Sequence, residues 1–358
     1  MVNALIFLGA GASAPFGIPT MKEMVPAFEQ YLDKLGHDAA LKYNMITQYK
    51  TIRDVLDQTY GYVDLESVFS VIDAVANETK YSDLGFTAMY AISRLRGNMF
   101  NQPISSSEDQ KTAKTLLEHF KKFVRARCTI DESKADLIDE VYRNFFDVLG
   151  EKYGVGLNQA PNGKQYRTAG DWQIYTTNYD TCIESFWEGV ADINDLFDEN
   201  RGLKILGVNN VKITNKIKVV KLHGSIDWYK LSLWRIVKSS SARVKVGKEM
   251  VQAEQMLYPV QQKDLYLYPW LSLIAGFKDD LQRLRNWIVI GYSFNDEFIL
   301  NIFKEFLSAD PNYNLILLDP NAYQIAQSKF KEFPTKVKSI ARNFADATST
   351  RVITQVLV

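Results

Sequence analysis

Five segments of the chain place polar or glycine residues directly after a short apolar run, and they hold most of the residues that could do chemistry. In chain order they are Gly9-Ala10-Gly11-Ala12-Ser13, Thr176-Thr177-Asn178-Tyr179-Asp180, His223-Gly224-Ser225, Gly291-Tyr292-Ser293 and Asp319-Pro320-Asn321. In an open parallel sheet, ligands bind beyond the carboxyl ends of the strands, near the point where the strand order reverses. We therefore expect the five segments to converge on one ligand site.

The histidine in the third segment is the natural candidate for proton transfer. An imidazole can exchange protons near neutral pH, and His223 lies between an apolar run and a glycine. The chain has two other histidines, His37 and His119, and a single histidine is often only structural. Sequence alone leaves both interpretations of His223 open.

The other segments also have ordinary structural explanations. Glycines let the backbone approach a pyrophosphate, but a glycine loop can equally be a plain tight turn. Asn178 could cap a turn or a helix through its amide, and Asp180 could be a helix N-cap. Asp319 could accept hydrogen bonds from a ribose or occupy a turn. Asp296 is expected to begin a helix.

The apolar runs that precede these segments predict the strands that must position them. Uninterrupted apolar runs are typical of strands buried on both faces of a parallel sheet. We predict strands over residues 4–8, 172–176, 217–222, 287–290 and 315–318, and helices after the glycines and over 298–307 and 321–330. Residues 235–246 resemble a short hairpin or a loop excursion. The predicted fold class is α/β, with a Rossmann-like parallel sheet flanked by helices.

A helical pattern separates the first two predicted strands. Apolar stripes at helical spacing run through residues 65–75, 116–124 and 137–149. They predict a large helical insertion over residues 37–165, within a Rossmann domain formed by residues 1–36 and 166–358. The seams are expected near Gly36-His37-Asp38 and in the glycine- and asparagine-rich stretch 154–170. Exposed parts of the insertion are candidates for partner contacts, although the stripes themselves suit a core.

Composition narrows the possible partners and the compartment. Lys+Arg and Asp+Glu both number 42, so there is no net positive charge to attract a phosphate backbone, and nucleic acid is not an expected partner. The two cysteines, Cys128 and Cys182, cannot form a four-cysteine zinc site. The apolar start is shorter than a signal-peptide core, and no run is long enough for a membrane helix. We expect a cytoplasmic protein without membrane contact.

Taken together and in order, the segments resemble those of the sirtuin superfamily. The glycine loop followed by Gly17-Ile18-Pro19 is similar to the glycine-rich opening of sirtuins. Thr177-Asn178-Tyr179-Asp180 resembles the Gln-Asn-Ile-Asp type motif, His223-Gly224 the catalytic His-Gly, and Gly291-Tyr292-Ser293 the later Gly-Thr-Ser. The motifs span positions 9 to about 321.

Two departures point away from the protein deacetylases of that superfamily. Those enzymes carry a four-cysteine zinc ribbon, and they continue after the glycine-rich opening with Asp-Phe-Arg, whereas this chain has Thr20-Met21-Lys22. A zinc-free pattern with a helical insertion resembles instead the sirtuin-like effectors of prokaryotic antiviral defence. That resemblance implies hydrolysis of NAD to nicotinamide and ADP-ribose without a metal. It also implies a homo-oligomer, or an ATPase or Argonaute partner.

The resemblance assigns roles to residues. Asn178 would bind the nicotinamide ribose and orient water, His223 would accept a proton, and Asp180 would fix the nicotinamide side of the pocket. The pyrophosphate would be held by backbone N–H groups of the glycine loop, with Ser293 as a further contact and Asp319 on the adenosine ribose. The residues expected to bind NAD are Gly9, Ala10, Gly11, Ala12, Ser13, Thr177, Gly291, Ser293 and Asp319.

Two other functions fit the same pocket. One is protein deacylation or ADP-ribosyl transfer, in which another acceptor replaces water. The other is a non-catalytic subunit that binds NAD or ADP-ribose within a defence assembly. A nuclease is disfavoured, because the sequence has no carboxylate cluster with metal-ligand spacing and carries no net charge.

Overall fold

The computed structural model of the chain describes residues 4–36, 39–61, 63–76, 107–153, 172–187, 193–197, 202–203, 217–232, 235–241, 243–246, 249–252, 254–257 and 269–355. Twelve strands lie within these ranges. They are β1 (Ala4–Leu8), β2 (Trp172–Thr176), β3 (Ile193–Asn194), β4 (Ile217–Lys221), β5 (Gly224–Ser232), β6 (Arg235–Lys238), β7 (Arg243–Val246), β8 (Glu249–Gln252), β9 (Glu254–Leu257), β10 (Asn286–Ile290), β11 (Asn314–Leu318) and β12 (Val337–Ile340).

Seven of these strands form one sheet, in the order β12-β11-β10-β1-β2-β4-β3. All six neighbouring pairs are parallel. The predicted α/β class with a parallel, Rossmann-like sheet is confirmed, and the five predicted strands are β1, β2, β4, β10 and β11. From β1 the chain builds outward through β2 and β4, then returns to add β10 on the other side of β1. The strand order therefore reverses beside β1, where parallel sheets bind ligands.

Helices cover both faces of the sheet, which explains why its strands are mostly apolar and buried. Every residue of β1, β2 and β4 is buried. The helices of the described residues are α1 (Ala10–Ser13), α2 (Met21–Asp33), α3 (Ala39–Tyr60), α4 (Leu65–Ala76), α5 (Ser107–Cys128), α6 (Ala135–Tyr153), α7 (Cys182–Trp187), α8 (Trp270–Arg283), α9 (Glu297–Ala309), α10 (Ala322–Lys329) and α11 (Phe344–Ser349).

One face of the sheet packs against α8 and α9. Phe7 of β1 contacts Phe277 of α8 and Phe303 of α9, each with 5.5 Å between ring centroids, and Trp287 of β10 lies 5.5 Å from Phe303. Because side chains alternate along a strand, Ile6 points to the opposite face. Buried aromatic contacts of this kind contribute both apolar area and ring packing to the stability of the sheet.

The chain divides into two compact units. The first consists of residues 1–18, 128–257 and 265–358, and the second of residues 19–127 and 258–264. The first contains the sheet. It also contains α6, which packs against α7 and α11, although its apolar stripe was grouped with the predicted insertion. The second is helical, with an aromatic core in which Phe69 and Phe120 stack at 3.5 Å between ring centroids. The predicted boundaries at 36/37 and 165/166 stay a prediction, since residues 37–38 and 154–171 lie outside the described ranges.

The predicted helix after the glycine loop is confirmed as α2, and one other prediction needs correction. The glycine loop leads into the four-residue helix α1 and a 3₁₀ turn over Ala14–Phe16 before the long helix α2 begins. Residues 235–246 are not a hairpin, because β6 pairs with β5 while β7 pairs with β8. Among the helices of the described ranges, none combines the length and apolar composition of a membrane span.

Candidate active site

The five predicted segments lie side by side along the carboxyl edge of the sheet. Their order across the sheet is Asp319 after β11, Gly291 after β10, Gly9 after β1, Thr177 after β2 and His223 after β4. Backbone hydrogen bonds join the neighbouring strand ends at 2.8–3.2 Å: Gly291 N to Leu318 O, Gly9 N to Ile290 O, Thr177 N to Leu8 O and Leu222 N to Thr176 O. The segments that carry the candidate residues are therefore contiguous in space.

The glycines are required where the loops after β1 and β10 meet. A Cβ on Gly291 would lie 2.2 Å from Ala12 N, and this residue has φ +62, which favours glycine. A Cβ on Gly9 would lie 2.5 Å from Gly291 O, and one on Gly11 would lie 2.7 Å from Gly291 Cα. Two of the sirtuin-like motifs thus pack directly against each other, backbone to backbone.

This packing changes the predicted pyrophosphate cradle. Gly11 N donates to Gly291 O at 2.8 Å, and Ala12 N donates to Gly9 O at 2.9 Å. Two of the three predicted N–H donors therefore already have acceptors within the chain. Among the described residues, the Ala10 N–H has none. The glycines at 9, 11 and 291 serve loop packing first, and the backbone donor open to a ligand is that of Ala10.

Asn178 is held rigidly against the glycine loop. Its Nδ2 donates to Gly9 O at 2.8 Å and to Ser13 Oγ at 3.0 Å, and its backbone N donates to Thr176 Oγ1 at 3.0 Å. Since Gly9 O can only accept, the amide nitrogen must face it. Oδ1 accepts no hydrogen bond from the described residues. The side chain, 8% exposed, therefore offers an oriented acceptor for a hydroxyl group or a water molecule.

Replacing Asn178 with alanine should cost stability as well as activity. The change removes two buried hydrogen bonds, each contributing about 0.5–1.5 kcal/mol net, so the free energy of unfolding should fall by about 1–3 kcal/mol. Ser13→Ala is the matched control, because it removes only one of the two and should cost about half as much. Chemical denaturation measures both. An unfolding free energy unchanged by Asn178→Ala contradicts the described network.

Asp180 makes its side-chain hydrogen bond at the start of a helix. Its Oδ1 accepts from Cys182 N at 3.0 Å, at the start of α7, and its backbone O accepts from Lys221 Nζ. The first backbone bond of α7 runs from Ser185 N to Thr181 O, so Thr181 is at the N-cap position and Asp180 precedes it in a local turn. The predicted role of Asp180 toward nicotinamide stays a prediction. Thr177, which is half-buried, commits its backbone N–H to Leu8 O.

His223 lies close to a carboxylate that the sequence analysis assigned only a capping role. Its Nε2 is 3.7 Å from Oδ2 of Asp296, and the imidazole is 10% exposed. Oδ1 of Asp296 accepts from the N–H groups of Phe298 and Ile299 and so caps α9, as predicted. Burial acts to raise the pKa of Asp296, but the nearby His223 imidazole and the hydrogen bonds that these backbone N–H groups donate lower the pKa below its ordinary value overall.

The loop that delivers Asp296 is held by a strained, buried phenylalanine. Phe294 has φ +57, which is rare for a residue with a side chain, and it is fully buried. Its ring packs on Tyr292, Phe303 and Phe330 at 4.8–5.4 Å between centroids. Buried aromatic contacts thus offset the backbone strain and fix the turn between Gly291 and Asp296. Ser293, on the same turn, is exposed.

Asp319 occupies the far end of the row. Its Oδ1 accepts from Asn321 N at 2.7 Å, ahead of α10, which is the turn interpretation. Burial raises the pKa of Asp319, although the hydrogen bonds from Asn321 oppose the shift. The predicted contact of this carboxylate with an adenosine ribose stays a prediction.

The two carboxylates should influence stability with opposite dependence on pH. The lowered pKa of Asp296 stabilises the fold above the ordinary aspartate pKa of about 3.9, and this contribution is lost as the pH falls through the lowered value. The raised pKa of Asp319 gives a contribution that is present below about pH 3.9 and lost as the pH rises through the raised value. We expect acidification from pH 6 to 3 to shrink the difference in unfolding free energy between wild type and Asp296→Asn.

Asp319→Asn provides the matched contrast for this measurement. Relative to that variant, the wild type should gain stability over the same acidification. Urea unfolding at several pH values measures both differences. Parallel pH profiles for the two variants would contradict the opposite shifts.

Within the described residues, no group of three or more His, Cys, Asp or Glu side chains is placed to hold a metal ion. Cys128 and Cys182 are both buried free thiols. Burial, and then the nearby Asp180 carboxylate, raise the pKa of the Cys182 thiol strongly. Cys182 is therefore not a candidate nucleophile.

This combination defines a class: a parallel α/β domain whose polar side chains cluster where the strand order reverses, beside a glycine loop. Residues 173–334 match the family described as the SIR2-like domain. The matched segment is a little under half of the chain and includes Asn178, His223, Gly291, Asp296 and Asp319. It supports a sirtuin-like family. No curated protein sequence matches the chain significantly.

Solved Sir2 structures also resemble the chain at low identity. A substituted Sir2 homologue in complex with 2′-O-acetyl ADP-ribose is 13% identical, with a TM-score of 0.43, covering 98% of this chain and 90% of that one. Sir2Tm bound to a propionylated peptide is 10% identical, with a TM-score of 0.39 and coverage of 99% and 92%. A Sir2 complex with a p53 peptide and NAD⁺ gives the same four values. At TM-scores below 0.5 we draw no functional conclusion from these similarities.

Proposed function

We propose that the chain is an NAD glycohydrolase, which hydrolyses the bond between nicotinamide and ribose. One observation carries the proposal: Asn178, with its free Oδ1, and the pair of His223 and Asp296 lie on neighbouring segments of one sheet edge, beside a glycine loop. A positioned amide and a proton acceptor are what hydrolysis of a bond to an already cationic leaving group requires.

In the proposed reaction the bond between the ribose C1′ and the nicotinamide nitrogen breaks, and its electron pair leaves with nicotinamide. Oδ1 of Asn178 accepts a hydrogen bond from the ribose or from the attacking water. The water oxygen forms the new bond to C1′, and its proton passes to His223 and then to solvent. Asp296 stabilises the imidazolium while His223 holds that proton. Water and NAD⁺ are thus converted to nicotinamide, ADP-ribose and a proton.

The remainder of NAD would lie along the row of strand ends. The Ala10 N–H and the exposed Ser293 hydroxyl are suited to the pyrophosphate, and Asp319 to the adenosine ribose. We also propose the more specific role that the sequence resemblance suggests. The chain would be a cytoplasmic effector of antiviral defence that acts as a homo-oligomer or beside an ATPase or Argonaute partner. Size-exclusion chromatography with light scattering measures the oligomeric state.

The decisive test incubates the purified chain with NAD in H₂¹⁸O and measures the products by mass spectrometry. Hydrolysis predicts equal amounts of nicotinamide and ADP-ribose, with ¹⁸O on the ribose. The SIR2-like domain match leaves protein deacylation open, so a parallel reaction contains an acylated lysine peptide. Nicotinamide release that requires the peptide and yields O-acyl-ADP-ribose would establish deacylation instead. Binding of NAD without turnover would favour the non-catalytic alternative.

A further inference from the structure

A buried lysine connects the two segments that carry Asn178 and His223. Lys221 is the last residue of β4, two positions before His223, and it is 3% exposed. Its Nζ donates a hydrogen bond to the backbone oxygen of Asp180, which lies two positions after Asn178. One ammonium group therefore bridges from the strand end that carries the candidate base to the loop that carries the candidate amide.

The charge of Lys221 is compensated by a second buried residue. Oε1 of Glu184, on α7, lies 3.2 Å from Lys221 Nζ, and the Glu184 residue is 8% exposed. Burial raises the pKa of Glu184, whereas Lys221 and then Lys238 oppose the rise. Buried ion pairs of this kind contribute little to stability in comparison with an apolar pair of the same shape. Their geometry, however, is specific.

Two other bonds tie the same loop to the segment after β4. Ser225 Oγ donates to Tyr179 O at 3.2 Å, and Ile226 N donates to Tyr179 O at 3.0 Å. Both hold the carbonyl of Tyr179, and Lys221 holds the next carbonyl along the chain. Of these three donors, the Lys221 ammonium is the ionised one, and charged hydrogen bonds are about twice as strong as neutral ones.

We propose that Lys221 is a positioning residue that fixes the loop over residues 177–181 relative to His223, an inference that rests on the proposed NAD cleavage. Without its ammonium group the carbonyl of Asp180 loses its charged donor, and the loop can shift relative to β4. Asn178 Oδ1 and the His223 imidazole then leave the geometry that the reaction requires. Misplacement by about 1 Å can lower a rate by about 10²-fold.

The chain contains a matched control on the same strand. Lys218, three residues earlier on β4, is 5% exposed and lies 2.8 Å from Asp280 Oδ2 on α8. It also donates to the Tyr175 hydroxyl at 3.1 Å. Both lysines are thus buried in ion pairs, but Lys218 bonds to α8 and to a strand residue, with no bond to the 177–181 loop.

The test compares two double variants, Lys221→Met/Glu184→Gln and Lys218→Met/Asp280→Asn. Each removes both charges of one buried pair, which avoids leaving a buried charge uncompensated. Arg283, which also pairs with Asp280 at 3.0 Å, is 41% exposed to solvent. Three quantities are measured: kcat and KM for NAD, hydrogen exchange of the peptide that contains residues 177–181, and the thermal midpoint. We expect the Lys221 variant to lose about 10-fold or more in kcat, with KM changed less, and to exchange this peptide faster. The Lys218 variant should retain kcat within about 3-fold.

Each outcome supports or overturns the inference. Equal exchange and equal kcat in the two double variants would overturn it, because Lys221 would then be merely structural. If the wild-type chain releases no nicotinamide, the proposed function fails, and the exchange comparison by itself still decides whether Lys221 holds the loop. If a double variant does not fold, Lys221→Gln and Lys218→Gln at low temperature provide the same exchange comparison.

Discussion

Replacing His223 with alanine is expected to lower nicotinamide release from NAD by about 10²-fold or more, the scale of a lost general base. The effect should fall on kcat, because the imidazole acts on the proton that the attacking water loses. Stability should change little, by about 1 kcal/mol or less. The reason is that Asp296 keeps the Phe298 and Ile299 N–H donors when His223 is removed.

A second histidine provides the control for this experiment. His119 bonds through Nδ1 to the Tyr31 hydroxyl at 2.9 Å, and both residues belong to the helical unit, outside the candidate site. His119→Ala should leave kcat within about 2-fold. His223→Ala with full turnover would remove the assignment of a catalytic base, whereas equal losses in both variants would point to a general effect on folding.

Replacing Gly291 with alanine is expected to give the largest loss of stability among the single substitutions considered. The added Cβ would lie 2.2 Å from Ala12 N and 2.3 Å from Gly11 C, both backbone atoms that cannot move without displacing the loop. Overpacking costs about 1–3 kcal/mol, and a left-handed backbone costs a residue with a side chain about 1–2 kcal/mol. We expect a total of about 2–5 kcal/mol, together with loss of NAD cleavage because the turn that carries Asp296 shifts.

Substitutions at two other glycines separate the cost of the steric overlap from the cost of the left-handed backbone. Gly17 has φ +86, and no atom of the described residues lies within 4 Å of the position that a Cβ would take there, so Gly17→Ala tests the backbone cost alone. Gly276 lies within α8, also with open space, and Gly276→Ala should stabilise the chain by about 0.5–1 kcal/mol. Thermal and urea unfolding compare the three. A Gly291→Ala variant no less stable than Gly17→Ala would show that the two loops are not packed as described.

The polar segments were predictable because each follows a short, mostly apolar run whose length and composition are typical of a buried strand. Parallel strands bring their carboxyl ends to one edge, so the convergence of Gly9, Asn178, His223, Gly291 and Asp319 followed from the fold class. The helices over residues 298–307 and 321–330 were predictable too, and appear as α9 and α10. An apolar stripe on a helix, in contrast, shows only that one face is buried and not which unit buries it. The prediction therefore grouped α6 with the insertion.

Sequence patterns did not reveal the position of Asp296 beside His223 or the bond from Lys221 to the 177–181 loop, for different reasons. The capping pattern around Asp296 explains its carboxylate locally, and no local pattern shows that its second oxygen faces a histidine 73 positions earlier in the chain. The sequence offered one sign of the role of Lys221, because this lysine lies within a predicted strand whose other residues are buried. Such a lysine needs a buried acceptor, but its identity depends on which strand lies alongside.

The sequence by itself determined the α/β class, the order of the strand-end segments and the residue types available at one edge of the sheet. These follow from local rules: the length of an apolar run, the glycine after it and the polarity of the next few residues. Only the tertiary structure decided which polar atoms already form hydrogen bonds within the chain. It shows Gly11 and Ala12 donating within the chain, Asp180 accepting from Cys182 N at the start of α7, and Asn178 presenting Oδ1. Hydrogen-bond partners far apart in sequence are chosen by packing, and no local pattern encodes that choice.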